Sequence, residues 1–188
     1  MQILRQKKGG ITLTEQELSN AMGTFGGTVY RLALCRMQNA ADAEDVYQDV
    51  FLRLLEQGAS RWDGEHLKAW LVRTTLNRCA DLGRLRRRRG ALPLEEVPDM
   101  AQPVDEAAAE LWDAVGRLPE KLRTVVHLFY GEGYESGEIG ALLGVPAATV
   151  RSRLRRARAE LKTVLGGFDD EESVSEADGS NPYPRRAE

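Results

Sequence analysis

The sequence predicts an all-α protein: two small helical domains joined by a flexible linker, the C-terminal one containing a helix-turn-helix. Three observations predict it. Apolar residues recur at helical spacing through most of the chain, and alternating strand patterns are nearly absent. A patternless, proline-containing acidic stretch separates two patterned halves. Finally, Gly140 to Lys162, GALLGVPAATVRSRLRRARAELK, reads as two helices around a tight turn, the second crowded with arginine.

Composition narrows the possible functions. The formal net charge of the 188 residues is only −3, but the charges are segregated. From Lys68 to Arg89 eight basic residues face the single Asp81, whereas from Asp169 onward seven acidic residues face Arg185 and Arg186. Position therefore matters more than the sum for a nucleic-acid partner. Cys35, Cys79, His66 and His127 fall on separate elements, so no zinc spacing exists, and neither metal nor cofactor is expected. No apolar run is long enough to span a bilayer and MQILRQKKGG lacks a secretion core, so the expectation is a cytoplasmic protein with reduced thiols and no membrane insertion.

Residues 1–22 read as a weakly patterned N-terminal extension. A first domain then occupies 23–90. Its first helix runs from Phe25 to about Gln38 with Val29, Leu32 and Ala33 inward, and ends at Asn39. Asp42 suits the N-cap of the next helix, with Glu44 and Asp45 against the positive helix end. Behind it Ala43, Val46, Tyr47, Val50, Phe51, Leu54 and Leu55 form an apolar stripe, leaving Asp45, Gln48, Asp49, Arg53 and Glu56 on the opposite face. Gly58 to Gly64 is a loop carrying Trp62. The long helix from about Glu65 to Arg89 follows, with Leu67, Trp70, Leu71, Leu76 and Cys79 apolar and with Arg73, Asn77, Arg84 and Arg88 along one polar stripe beside Asp81.

Residues 91–109 form the linker. The second domain, 110–166, begins with Leu111, Val115 and Leu118 inward, and Pro119 opens a helix bearing Leu122, Val125, Val126 and Phe129. In the helix-turn-helix, Gly140 permits close approach, Gly144 supplies the left-handed turn and Val150 the buried contact. Val150, Leu154, Ala157, Leu161 and Val164 make the inner stripe; Thr149, Arg151, Ser152, Arg153, Arg155, Arg156 and Arg158 lie on or beside the other face, placed to meet phosphates or base edges. Residues 167–188 are polar and acidic with little to bury, which predicts disorder.

Three blocks in this order resemble the bacterial RNA polymerase sigma-70 family, specifically its two-domain extracytoplasmic-function (ECF) subfamily: DAEDVYQDVFLRLL at Asp42 to Leu55, AWLVRTTLNRCADLGRLRRRR at Ala69 to Arg89, and the stretch from Leu118 to Leu161. The resemblance implies an alternative sigma factor that binds core RNA polymerase and directs initiation at promoter DNA, held in check by an anti-sigma factor. It implies that Asp45, Gln48, Asp49 and Arg53 dock on a polymerase coiled coil. It also implies that Asn77, with Arg73, Arg84, Arg87 and Arg88, engages the downstream promoter element as it melts. Trp62 lies where the family captures an unstacked base, a task suited to a loop aromatic, whereas Trp70 reads as core. Arg84 and Arg86 to Arg89 read as phosphate-binding rather than base-reading. Thr149, Arg151, Ser152, Arg153, Arg155 and Arg156 match residues presented to the upstream element in the major groove. A linker of about 18 residues reaches roughly 60 Å when extended, comparable to promoter elements somewhat under two helical turns, ~60 Å, apart.

The chain departs from the family pattern at Gly140 and Ala148, where alanine and glycine are usual, and at Asp49, often glutamate. Two other readings compete. A stand-alone helix-turn-helix regulator leaves the first two blocks without a purpose. A magnesium-dependent nuclease using Asp42, Glu44, Asp45 and Asp49 is opposed by spacing, since only Asp45 and Asp49 share a face.

Overall fold

A computed structural model describes residues 13–57, 62–88 and 106–165, with side chains of 106–109 omitted. The extreme N-terminus, Arg89, most of the expected linker and the acidic tail lie outside the described residues. Among the described residues the protein is all-α: α1 Glu15–Met37, α2 Ala40–Gln57, α3 Gly64–Arg88, α4 Glu106–Arg117, α5 Glu120–Val126, a π-helical turn His127–Gly131, α6 Ser136–Leu143 and α7 Ala147–Leu165.

Local signals explain the boundaries, and several differ from the expectation. α1 starts ten residues before Phe25, at Glu15, because Thr14 and Glu17 form a capping box. The Thr14 hydroxyl accepts from the Glu17 N–H at 3.2 Å and the Glu17 carboxylate accepts from the Thr14 N–H at 2.8 Å. Residues 15–22 are thus helix rather than extension. α1 stops at Gln38, whose φ of 51° is left-handed and whose N–H reaches Leu34 O at 2.9 Å. The cap of α2 is Asn39 rather than Asp42: Asn39 Oδ1 accepts from the Asp42 N–H at 3.0 Å. Asp42 instead lies buried inside the first turn and pairs with Arg86 at the far end of α3. Asp63 caps α3, accepting from the His66 N–H at 2.8 Å. α4 begins at Glu106, within the expected linker.

α1, α2 and α3 pack around Phe25, Val29, Ala33, Val46, Val50, Phe51, Leu54, Leu71 and Cys79. α4 to α7 enclose Val115, Leu118, Leu122, Val125, Leu128, Phe129, Ile139, Val150, Leu154 and Ala157. Leu111 and Val164, expected inward, are 40% and 52% exposed at the ends of their stripes. The two units are not separate bodies. Leu32 of α1 and Val72 and Leu76 of α3 belong to the second core, so a seam joins the halves. Leu32 and Val72 are both 0% exposed, and burying each contributes about 1.5–3 kcal/mol. The expectation of two helical units holds, but helical periodicity could not reveal that apolar positions of α1 and α3 serve the far unit.

Candidate nucleic-acid interface

The helix-turn-helix is built from backbone constraints. Gly140 sits where a Cβ would come 2.7 Å from the carbonyl oxygen of Val145, so α6 and the turn touch backbone to backbone. Alanine at this position would displace the turn. Gly144 takes φ 66° as the C-cap of α6, and its N–H bonds to Gly140 O. Val145 N–H also reaches Gly140 O, at 3.0 Å, while the Pro146 carbonyl accepts from Thr149 and Val150 at 2.9 and 3.3 Å to start α7. Ala148, on this first turn, is exposed.

α7 turns Val150, Leu154 and Ala157 inward. Arg151, Ser152, Arg155 and Arg156 are exposed, and Thr149, Arg153 and Arg158 are half-buried. Arg156 pairs with Glu160 at 3.0 Å along the helix. Arg151, Arg153 and Arg155 make no side-chain ion pair among the described residues. Their charges are thus available to phosphate, and their fork geometry suits guanine edges. The start of the same helix carries its positive dipole end.

On α3, Arg73, Asn77, Arg84, Arg87 and Arg88 are all exposed. Arg84 pairs with Asp81, and Arg86 with Asp42. Arg86 therefore acts as a tie between α3 and α2, not as one more member of a phosphate-binding run. Arg78, next to Asn77, reaches across to Asp49 at 3.0 Å. Trp62 is half-buried against the first core, its ring 5.5 Å from that of Trp70 and tilted by 57°. Trp70 is half-buried too, so the pair forms one aromatic surface in which neither ring is fully enclosed.

On α2, Asp45, Gln48 and Arg53 are exposed and Asp49 is half-buried. Asp49 lies 3.0 Å from both Arg53 and Arg78. The face therefore carries exposed carboxylates at Asp45 and Glu56 and one, Asp49, held between two guanidiniums. Leu52, 60% exposed, interrupts this polar face and belongs to neither of the two periodic sets of α2.

The buried titratable groups lie away from these faces. Burial pushes the Cys35 thiol up to about 11 and the Cys79 thiol up to about 12, so both stay protonated. Burial also raises Asp42, against the pull of Arg86. Among the described residues no cluster of His, Cys, Asp or Glu could hold a metal, and no helix is long and apolar enough to cross a membrane.

Residues 22–90 match the family model for sigma-70 region 2, and residues 108–161 that for sigma-70, region 4. The ECF RNA polymerase sigma factor SigE of Mycolicibacterium smegmatis is 34% identical over 160 residues, covering 78% of this chain. The chain spans 61% of the length of SigE. SigM of Mycobacterium tuberculosis is 34% identical over 141 residues, 73% of this chain and 71% of SigM. In fold, the chain is similar to the sigma factor RpoE of Bartonella quintana, solved with the anti-sigma factor NepR. The TM-score is 0.66 at 24% identity, over 82% of this chain and 98% of RpoE. CnrH, solved with the cytosolic domain of CnrY, gives 0.56 at 23% identity, over 83% and 92%. Two sigma regions in family order, on a helical frame shared with sigma factors and with SigM aligned across both, place the chain in the ECF family of RNA polymerase sigma factors.

Proposed function

We propose that this chain binds core RNA polymerase through α2 and carries it to a promoter. There α7 occupies the major groove of the upstream element, and α3 with the Trp62–Trp70 surface engages the downstream element as it opens. The first unit, 23–90, does the docking and melting. The second, 110–166, reads the upstream element, and 91–109 connects them. The observation that carries the reading is one chain with two differently charged surfaces. Arg151, Arg153 and Arg155 project from a helix-turn-helix without ion pairs among the described residues, while Asp45, Gln48 and Asp49 form an acidic face on another helix. A basic face suits DNA and an acidic one suits a basic protein partner. A stand-alone regulator would have no use for the second face.

On this reading the protein acts by binding alone, within the cytoplasm, and the polymerase supplies the chemistry. An anti-sigma factor, of the kind seen with RpoE, fits the same assignment. The test is co-purification with core polymerase stripped of its own sigma factor, comparing the natural chain with Asp45→Arg and Asp49→Arg. Asp45→Arg is the cleaner probe, because Asp49→Arg also sets a third cation beside Arg53 and Arg78. Binding by the natural chain that Asp45→Arg weakens supports the reading. Absence of polymerase binding together with tight, sequence-specific binding to duplex DNA would replace it with the independent regulator.

A further inference from the structure

The acidic residues from Asp169 onward, which lie outside the described residues, have no part in either binding surface. Yet their run opens only four residues beyond the end of α7 at Leu165. Asp169, Asp170, Glu171 and Glu172 are consecutive, and Glu176 and Asp178 follow. On α7, Arg151, Arg155, Arg158 and Lys162 recur at i, i+4, i+7 and i+11, so they form one basic stripe that leads to the point where this segment leaves the helix. Arg151 and Arg155, at the far end of the stripe, are exposed and make no ion pair among the described residues. Acidic segment and basic stripe are thus tethered neighbours of opposite sign.

Reach and local chemistry allow the segment to turn back along the stripe. At 1.5 Å per residue, Arg158, Arg155 and Arg151 stand about 10, 15 and 21 Å before Leu165. An extended chain covers about 3.3 Å per residue, so Glu172 reaches up to roughly 23 Å from Leu165 and Asp178 further. Gly166 and Gly167 stand where the reversal has to occur, and glycine accepts the left-handed backbone that ends a helix and turns the chain. Phe168 comes next. Beside the stripe, Leu161 and Leu165 are half-buried and Val164 is 52% exposed. They offer an apolar landing for one aromatic ring, as when a residue past a helix end packs on the last turn. Carboxylates accept from guanidinium forks as phosphates do. A tether this short holds the segment at an effective concentration on the order of millimolar.

We propose that the segment from Phe168 to Asp178 docks on the basic stripe of α7, with Phe168 against Leu161, Val164 and Leu165 and its carboxylates against Arg155 and Arg151, and that duplex DNA must displace it. The docking half stands by itself; the competition half rests on the proposed function, which gives the same face to the upstream element. Displacement lowers the apparent affinity for every duplex by the fraction of chains whose stripe is free. DNA carries about one charge per 1.7 Å of axis, against one per ~3.3 Å in even a continuous acidic run, so a matched site still prevails.

The test uses the full chain. Ser175→Cys places a single accessible thiol in the segment, since Cys35 and Cys79 are buried, and a nitroxide attached there broadens the NMR signals of nearby backbone amides. At low salt the amides of Arg151 to Arg158 should broaden. They should recover when Asp169→Asn, Asp170→Asn, Glu171→Gln and Glu172→Gln are combined, and also as salt shortens the Debye length from ~10 Å at 0.1 M to ~3 Å at 1 M. Broadening confined to the last turn of α7 in every form, or centred on Arg73, Arg87 and Arg88 of α3, would overturn the docking. For the competition, the probe is a duplex of arbitrary sequence titrated at low salt. The four amide substitutions should raise its affinity on the order of tenfold. Phe168→Ala, which changes no charge, should give a smaller rise of about twofold as the apolar anchor is lost. Docking without a gain in affinity, or a gain confined to the amide variant and so owed to bulk charge, would overturn the competition alone. Failure of every form to bind duplex would sink the DNA reading of the proposed function and leave the NMR result standing.

Discussion

α3 and α7 are both long helices with arginine-rich solvent faces, yet their arginines are in different states. On α7, Arg151, Arg153 and Arg155 project without an ion pair among the described residues. On α3, Arg78, Arg84 and Arg86 are held by Asp49, Asp81 and Asp42. Equal arginine density therefore does not mean equal readiness for phosphate. α7 presents unpaired cations of the kind that release the counterions condensed on DNA. α3 spends three of its own on intramolecular pairs that align it with α2, leaving Arg73, Arg87, Arg88 and the Asn77 amide for a partner. On the proposed reading the free cations of α7 suit affinity for duplex DNA, whereas the bracing of α3 suits a surface that must keep its shape while bases leave the stack.

The largest effect expected from breaking this contrast comes from the turn that aims α7. Gly140→Val places branched carbon where a Cβ already comes 2.7 Å from backbone oxygen, and overpacking against rigid backbone costs about 2–3 kcal/mol. Thermal unfolding should show that loss. Upstream-element binding should fall with every arginine of α7 still present, while binding to core polymerase, which the proposed reading assigns to α2, persists. Retained stability and retained DNA binding would mean that the close approach does not matter.

Next in size is Arg155→Ala. It should weaken upstream-element binding by about 1–3 kcal/mol if Arg155 reads a base, or lower the salt slope by about one if it holds a phosphate. Arg84→Ala on α3 should cost less, because Asp81 already neutralises it and an exposed pair contributes only about 0.2–1 kcal/mol. Salt titrations of DNA binding for both variants check the comparison; equal losses would erase the distinction between the helices.

Much of this arrangement was legible in the sequence because it depends on local periodicity. Val150, Leu154 and Ala157 were inward by spacing, and Gly140 and Gly144 were marked by the turn they serve. The stripes of α2 were readable for the same reason. The missing parts were those that depend on distant partners. Spacing shows that Asp42, Arg78 and Arg86 are charged, but not that Asp42 meets Arg86 or that Arg78 meets Asp49. Glu132, between two glycines in an aperiodic turn, gave no signal of its ion pair with Arg31, and the assignment of Leu32 and Val72 to the second core gave none either. The start of α1 is different: the Thr14–Glu17 box was present in the sequence, but the weak apolar pattern behind it hid the helix.

A smaller, stabilising change sharpens the contrast from the side of α3. A Cβ at Gly83 would meet nothing closer than the end of the Arg87 side chain at 3.8 Å, so Gly83→Ala should stabilise α3 by about 0.5–1 kcal/mol, the ordinary cost of glycine inside a helix. Thermal melting checks the sign. Where α7 depends on its glycine at Gly140, α3 has no packing use for Gly83. A destabilised Gly83→Ala would instead show that this point of α3 has to bend.

The smallest effect tests the bracing itself. Asp42 pairs with Arg86, which by itself would lower its pKa, yet burial outweighs the pair and the carboxyl sits above its ordinary value of 3.8. The sign follows from linkage. With the folded pKa above the unfolded one, the folded state holds the proton more tightly, so Asp42 favours folding most at acid pH and loses that contribution as pH rises through the folded value. Asp42→Asn mimics the protonated form. At neutral pH it should change stability by less than about 1 kcal/mol, since desolvation relieved and attraction lost nearly offset. As pH falls through the raised pKa toward 3.8, the natural chain should gain relative to the variant. Denaturant titrations of both chains across that window read the difference. If the natural chain instead lost ground there, Arg86 would dominate its environment, and the tie between α2 and α3 would be a net source of stability instead of a nearly neutral alignment device.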